Sequence, residues 1–454
     1  MKPIPGIQFP GLKKHMTNIS WLLGYRLLNM IVTLAVGVYV ARYLGPERLG
    51  FLSYALSFVG LFTALATLGI DNIVIRELVK TPDRKNILLG TAFGIKAFGA
   101  VVMWAAISFA ILFTRNDGHT NFIIFIIASG VIFQSFDVID LHYQARVESR
   151  YVVYARLIQL SATAVTKLIF VWIAAPLIWF AFLFVLESAI HAIALTAVYR
   201  RNSGAISSWK WHSKTAGVIL KAAWPLILAA VLHSCYMRID QVMIKEIAGL
   251  AHVGYYSAAV KLCDVWAFVP MAIASSLFPV IINSKKENQT VYHQRLQHLY
   301  GLMICLAVVI ALPTTFLAPQ VIRILYGEAF MPAAGVLSIY IWTGMFTFLG
   351  VANGRWIVVE NVQYISVWKT AGAAILNIAL NFVLIPRYGI NGAAVSSIAA
   401  VFFAFHLSFA LFKETRINFT LQNRAFMKPY LWLGSQYGLY FKAISRSLTK
   451  RREG

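Results

Sequence analysis

Between residues 18 and 412 the chain is a succession of long apolar blocks separated by short polar or basic segments. A helix needs about 20 apolar residues, rising 1.5 Å each, to cross a hydrocarbon core of roughly 30 Å. About twelve blocks meet that length, near 18–43, 48–70, 87–113, 121–144, 152–174, 177–199, 216–246, 252–283, 296–318, 332–359, 364–385 and 389–412. The expected fold is therefore an all-α polytopic membrane protein of about 12 transmembrane helices. Composition agrees: 59% of residues are hydrophobic and 13% charged, where soluble domains are nearer about 25% charged. The tightest division lies between spans five and six, where "IAAPLIW" must turn at Pro176.

The net charge of +23 could fit a nucleic-acid partner, but the basic residues flank the apolar blocks and read as topology signals. With the N-terminus inside, the inner segments carry 25 Lys and Arg and the outer ones six: Arg42, Arg48, Arg115, Lys245, Arg323 and Arg387. That bias places both termini in the cytoplasm. The outer loops are too short to hold a catalytic domain. Residues 1–17 are polar and basic, and the first apolar block is too long for a cleavable leader, so it is expected to remain as a helix. Cys235, Cys263 and Cys305 each lie in an apolar segment, with no spacing for disulfides or a metal. Phosphate loops, nucleophile elbows and zinc-helix motifs are not found. "DVIDLHYQ" (137–144) mixes Asp and His but reads as the inner end of span four.

The longest polar connection, 200–214, divides the spans six and six. The expected domains are an N-terminal lobe (1–199), a basic cytoplasmic linker (200–214), a C-terminal lobe (215–413) and a basic, aromatic tail (414–454), interfacial or mobile. The halves look like a parallel repeat. "YLGPERLGFLSYA" (43–55) overlays "EIAGLAHVGYYSA" at a shift of 204, matching Gly45 with Gly249, Gly50 with Gly254, Ser53 with Ser257 and Ala55 with Ala259.

Charge inside a bilayer is costly, about 2.5–3.5 kcal/mol per residue at a helix centre, so it must meet a partner or a wet cavity. Nine basic residues fall within spans: Arg26, Lys96, Arg156, Lys167, Lys221, Arg238, Lys261, Arg355 and Lys369. Five acids join them: Asp137, Asp140, Glu187, Asp240 and Asp264. Arg156, Lys221, Arg355 and Lys369 lie near the inner boundary, where snorkelling explains them. Lys261 and Asp264 share a helix face, and Glu187 is placed to neutralise Lys167. Arg238 and Asp240, two residues apart, point roughly 200° away from each other and cannot pair. The excess of four positive charges favours an anion, above all a phosphate that Arg can hold bidentately.

"VYVARYLGPERLGFLSYALSF" (38–58), "MRIDQVMI" (237–244), "VGYYSAAVKL" (253–262) and "NFVLIPRYGINGAAVSS" (381–397) resemble the polysaccharide transporters of the multidrug/oligosaccharidyl-lipid/polysaccharide exporter superfamily. Within them the chain is most similar to the O-antigen flippases of Wzx type. The resemblance implies two six-helix lobes around a V-shaped central cavity lined by spans one, two, seven and eight. It also implies that undecaprenyl-pyrophosphate-linked oligosaccharide is moved across the bacterial inner membrane by alternating access. Arg26, Arg238 and Lys261 then hold the anion, while Asp240 and Asp264 orient those cations or carry a coupling H+ or Na+. Lys96, Lys167, Glu187 and Arg355 are secondary candidates. The shift of 204 puts Leu34 and Val36 under Arg238 and Asp240, so the halves cannot contribute equally to such a site. Span seven runs outwards, which puts Arg238 in the outer half of the membrane. The expected partners are membrane lipids, an O-antigen polymerase and a chain-length regulator, with no nucleic acid and no cofactor. Export of another lipid-linked glycan (teichoic acid, capsule or peptidoglycan precursor) stays open. A drug antiporter would need an acidic cavity, and a glycosyltransferase a large outer loop.

Overall fold

The computed structural model describes residues 12–428, and among these the chain is helical with short connections and no strand. Among the described residues nine helical segments are long and apolar enough to cross a membrane, ten if a pair bent by 42° (Ala333–Tyr340 and Thr343–Val359) counts as one. Two of the nine, Ser20–Lys80 with 61 residues and Ile365–Leu411 with 47, far exceed the roughly 20 residues a single crossing needs. Each contains a glycine off the helical region, Gly45 (φ 71°, ψ 175°) and Gly389 (φ 58°, ψ −139°). Divided there, the segments are compatible with twelve crossings, and both glycines fall at boundaries read from the sequence.

The helices pack as two compact units. Within the described residues, the first unit runs to Leu44 and from Phe51 to Arg238. It contains most of α1 (Leu12–Thr67), α2 (Asp71–Lys80), α3 (Lys85–Ile111), α4 (Gly118–Ser129), α5 (Val138–Ala145), α6 (Arg150–Trp172), α7 (Leu177–Asn202) and the first part of α8 (Ser213–Ala248). A 3-10 segment, Gly130–Asp137, joins α4 to α5. The core brings Ile70 and Val74 together with Leu89 and Ala92 of α3, Ile139 and Tyr143 of α5, Leu195 and Tyr199 of α7, and Ile219 and Ala223 of α8. The 200–214 connection is pinned to α3: Lys210 N donates to Asn86 O (3.1 Å) and His212 N to Thr91 Oγ1 (3.2 Å). Gly90 and Gly94 leave room for it, since a Cβ there would lie 2.6 Å from the Lys210 backbone or the Trp211 ring.

The narrow turn at Pro176 forms as the sequence requires. α6 closes with Ala175 N donating to Phe170 O (2.9 Å), a C-cap pattern that usually uses glycine, here with Ala174 at φ 51°. Tyr43 Oη ties the turn down by donating to Ala175 O (2.9 Å).

The second unit comprises Gly45–Gly50 and the chain from Ile239: the rest of α8, α9 (Leu250–Asp264), α10 (Phe268–Glu287), α11 (Gln289–Tyr326), α12 (Ala333–Tyr340), α13 (Thr343–Val359), α14 (Ile365–Phe402), α15 (Ser408–Leu411) and α16 (Arg416–Met427). The two copies of the repeat meet here. Gly249 (φ 95°, ψ 173°) has nearly the backbone of Gly45. A Cβ on Gly50 would lie 1.8 Å from Leu250 O, and one on Gly254 would lie 1.9 Å from Pro46 O. Both pairs, Pro46 with Leu250 and Gly50 with Gly254, obey the shift of 204, so the close approach is reciprocal.

α16, at the head of the expected tail, packs on α11 and is held by buried amides. Asn418 accepts from Tyr300 Oη (2.6 Å) and donates to Asn353 (3.1 Å), and Gln422 bonds Asn353 (3.2 Å) and His406 (2.8 Å). The aromatic stretch 429–441 and the basic end of the tail lie outside the described residues.

Candidate functional site

Most of the interior charge in the first unit has a local partner. Lys96, only 3% exposed, pairs with Asp71 at 2.7 Å. Arg156 pairs with Asp140 at 2.7 Å, and Gln144 also bonds that carboxylate; Arg156 is thus engaged with an acid rather than merely snorkelling. Lys167 and Glu187 approach to 3.8 Å, the pairing expected from the sequence, and Gln159 Nε2 donates to Glu187 Oε1 (2.9 Å). His191 Nε2 stands 3.7 Å from Asp137 Oδ1.

Arg238 is different: among the described residues it has no ion-pair partner. It lies against Gly60 of α1, whose missing side chain leaves the guanidinium and its stem room, with Nε 3.4 Å from where a Cβ would be. It lines a cavity of about 530 Å³ contained within the first unit. α1 supplies Val59, Gly60 and Thr63 to that cavity; the 3-10 segment supplies Phe133, Gln134 and Asp137; α6 adds Gln159; and α7 adds Phe184, Glu187, Ser188 and His191. Glu187 and Arg238, both named from the sequence, therefore share one cavity.

Asp240, two residues further along α8, enters a separate environment in the second unit. It is 7% exposed and is ringed by neutral donors. Tyr256 Oη (2.8 Å) and Ser397 Oγ (2.7 Å) donate to Oδ2, and Asn381 Nδ2 (2.7 Å) donates to Oδ1. Asn381 also bonds Asn377 (3.1 Å), one turn back on α14. The Oδ1 of Asn381 is buried without a hydrogen-bond partner. No basic side chain forms an ion pair with Asp240 among the described residues. Arg238 and Asp240, which helix phase keeps from satisfying each other, therefore have two different surroundings.

The remaining sequence candidates are dispersed. Arg26 is exposed on α1, and Lys261 and Asp264 are exposed on α9. Arg355 donates to Ala274 O (3.0 Å) and stacks over Phe278, a use within the second unit's packing. Lys369 does not snorkel: it is buried over the rings of Phe405 and Phe409, 5.0 and 5.6 Å from their centroids. That cation–π geometry substitutes for water around the ammonium. The Phe405 ring belongs to a π-helical turn, Phe403–Leu407.

A count of formal charges missed Gln134, Gln159, Tyr256, Asn377, Asn381 and Ser397, because they carry none. The available signal was polar side chains inside apolar blocks, with Asn377 and Asn381 spaced four apart on one helix face.

Comparison with known proteins agrees with this architecture. A family model described as polysaccharide biosynthesis protein matches residues 16–285, more than half of the chain. An O-antigen transporter of Shigella flexneri is 23% identical over 394 residues, 84% of this chain and 93% of that protein. A low-salt glycan biosynthesis flippase of Haloferax volcanii is 25% identical over 166 residues, 36% of this chain and 34% of that one. Among solved structures, the lipid II flippase MurJ in an inward closed conformation superposes with a TM-score of 0.69 at 11% identity, covering 90% of this chain and 92% of that one. An inward-facing multidrug resistance transporter of the MATE family and MOP superfamily gives 0.68 at 15%, covering 87% and 96%. At these identities the structural matches speak for the fold.

Proposed function

Because the chain belongs to the polysaccharide biosynthesis protein family, we propose that it carries a polyprenyl-pyrophosphate-linked oligosaccharide, of the O-antigen repeat-unit class, from the cytoplasmic to the periplasmic leaflet of the bacterial inner membrane. The chain is a multi-pass membrane flippase for lipid-linked glycan, not a catalytic enzyme. The single observation that carries this proposal is Arg238, a guanidinium on the wall of a 530 Å³ cavity with no ion-pair partner among the described residues. A pyrophosphate supplies two anionic groups suited to a guanidinium fork. With span seven running outwards, Arg238 meets the pyrophosphate late in the passage. Arg26 and Lys261 are assigned to earlier contacts with the same group.

Transport follows alternating access, the mode general to two-bundle transporters, and Asp240 supports a role for a coupling cation. A carboxylate withdrawn from water without a basic partner is costly, by several kcal/mol, and hydrogen bonds from Tyr256, Asn381 and Ser397 offset that only in part. A proton or a sodium ion completes the balance, and the oxygen atoms of Ser397, Asn377 and Asn381 stand ready beside the carboxylate. Asp264 is assigned to orienting Lys261 on α9. Polymerase and chain-length regulator act on the product at the outer face.

The test is reconstitution of the full chain in liposomes loaded on one leaflet with an N-acetylglucosaminyl polyprenyl pyrophosphate. Its arrival on the other leaflet is read with a membrane-impermeant, sugar-modifying enzyme. The wild-type chain is expected to move the lipid faster than protein-free liposomes, and Arg238→Ala to abolish the difference. Equal rates with and without the wild-type chain would overturn the proposal.

A further inference from the structure

The cavity beneath Arg238 holds more hydrogen-bonding capacity than its own walls use. Among the described residues the side chain of Gln134 makes no hydrogen bond. Asp137 has only the 3.7 Å approach of His191, too long for a hydrogen bond. The Nδ1 of His191 is buried and has no partner. Buried polar atoms in native structures are nearly always satisfied, so the unpartnered His191 Nδ1 calls for an explanation, while Gln134 and Asp137, the latter with its side chain 39% exposed, present open polar atoms to the same space. These three groups line one cavity, with the rings of Phe133 and Phe184 on its wall. Its volume of about 530 Å³ is in the usual range for small-molecule sites, roughly 300–1,000 Å³.

A ligand that satisfies such a wall must both donate and accept hydrogen bonds. A carboxylate only accepts, a carboxamide does both, and a neutral imidazole offers one of each. Aromatic rings add flat apolar faces. A sugar matches this set, with hydroxyls that donate and accept along its edges and C–H faces that lie on rings. The sign of the charge narrows the class further. With Arg238 engaged by the pyrophosphate, Asp137 has among the described residues no ion-pair partner beyond the His191 contact, and Glu187 faces Lys167 at 3.8 Å, so a further carboxylate brought in by the ligand would meet repulsion in a low-dielectric site.

We infer that this cavity is a glycan subsite of the first unit, taking an uncharged, hydroxyl-rich sugar residue next to the pyrophosphate held by Arg238, and discriminating against uronic acids. This rests on the proposed transport of lipid-linked oligosaccharide and adds where the sugar is read. Gln134, Asp137 and His191 are its specificity-determining residues, with Phe133 and Phe184 as apolar faces.

The experiment measures binding to the purified full chain in detergent micelles of three short-chain polyprenyl pyrophosphates: bare, N-acetylglucosaminyl and glucuronosyl. In the wild type the N-acetylglucosaminyl lipid is expected to bind at least about tenfold more tightly than the bare one, and the glucuronosyl lipid no more tightly than the bare one. Gln134→Ala and Asp137→Asn should each reduce the tenfold ratio to under about threefold. Asp137→Asn should also raise the relative affinity for the glucuronosyl lipid. A ratio between lipids within one variant is insensitive to partial loss of folded protein, and thermal unfolding of each variant checks that loss independently. Equal binding of all three lipids by the wild type, or an intact ratio in both variants, would overturn the glycan subsite while leaving pyrophosphate transport standing. Failure of every lipid to bind would overturn both readings.

Discussion

The two polar sites to which α8 contributes are built on opposite principles. In the first unit Arg238 is exposed to a roomy cavity, rests on a glycine and is bonded to nothing among the described residues. In the second unit Asp240 is buried and every contact is specified: a tyrosine, a serine and an asparagine donate to its two oxygens. An unsatisfied cation in open space is available to a large anionic ligand. A caged carboxylate has no room for one and can only take a small cation. On the proposed function one of the two residues serves cargo and the other coupling, and they are then expected to fail in different ways.

The largest expected effect separates charge from geometry on the cargo side. Arg238→Ala should bring flipping in the liposome assay down to the protein-free rate, with the unfolding temperature within a degree or two of wild type, because the side chain supports no other residue. Arg238→Lys keeps the charge but loses the planar fork, and an intermediate rate is expected. Wild-type flipping in Arg238→Ala would break the comparison at once.

On the coupling side, Asp240→Asn keeps the shape of the cage and removes its charge. Equilibration of substrate between leaflets should persist, while accumulation driven by an imposed H+ or Na+ gradient should vanish; whichever gradient drives the wild type identifies the ion. Asp240→Ala should in addition destabilise the protein by roughly 3 kcal/mol, the upper end of the cost of leaving a buried polar group unsatisfied, read as a drop in unfolding temperature that Asp240→Asn does not share. Retained gradient-driven accumulation in Asp240→Asn would remove coupling from this site.

How much of this was legible in the sequence follows from what each signal measures. The apolar blocks gave the spans because lipid enforces their length. The glycine register at 204 gave the repeat because only glycine allows the backbone of Gly45 and Gly249 and the close approach of Gly50 to Leu250 and of Gly254 to Pro46. Helix phase separated Arg238 from Asp240, and the succession of spans five and six paired Lys167 with Glu187. The same charge count misplaced Lys369, because an aromatic pocket that shelters an ammonium looks in one dimension like ordinary apolar sequence. It also missed the partner of Lys96, Asp71, which lies just past the end of its span. The cage around Asp240 joins residues 141 and 157 positions distant; nothing local signals it.

The repeat offers a test smaller in effect but independent of any substrate. Gly50→Val and Gly254→Val each force atoms into a backbone carbonyl less than 2 Å from where a Cβ must sit. Overpacking costs typically about 1–3 kcal/mol, and the reciprocal geometry means both substitutions push the same two helix starts apart. Their combined loss of stability should therefore fall below the sum of the two, since the second change enters a contact already opened by the first. Full additivity would show that the two glycines do not share one contact.

The smallest expected effect distinguishes a structural pair from the sites on α8. Lys167 and Glu187 touch at 3.8 Å with side chains about a quarter to a third exposed, so their attraction is partly screened. Glu187→Gln alone leaves Lys167 without its counter-charge, and Lys167→Met alone does the same to Glu187; each should lower stability by roughly 1 kcal/mol. Replacing both removes the cost along with the attraction, so the double variant should recover to within about 0.3 kcal/mol of wild type. Gln159, which donates to Glu187 at 2.9 Å, can bond a carboxamide as readily as a carboxylate, so the cavity wall keeps its shape. A double variant less stable than either single one would mean that Lys167 and Glu187 support the cavity separately rather than as a mutually neutralising pair.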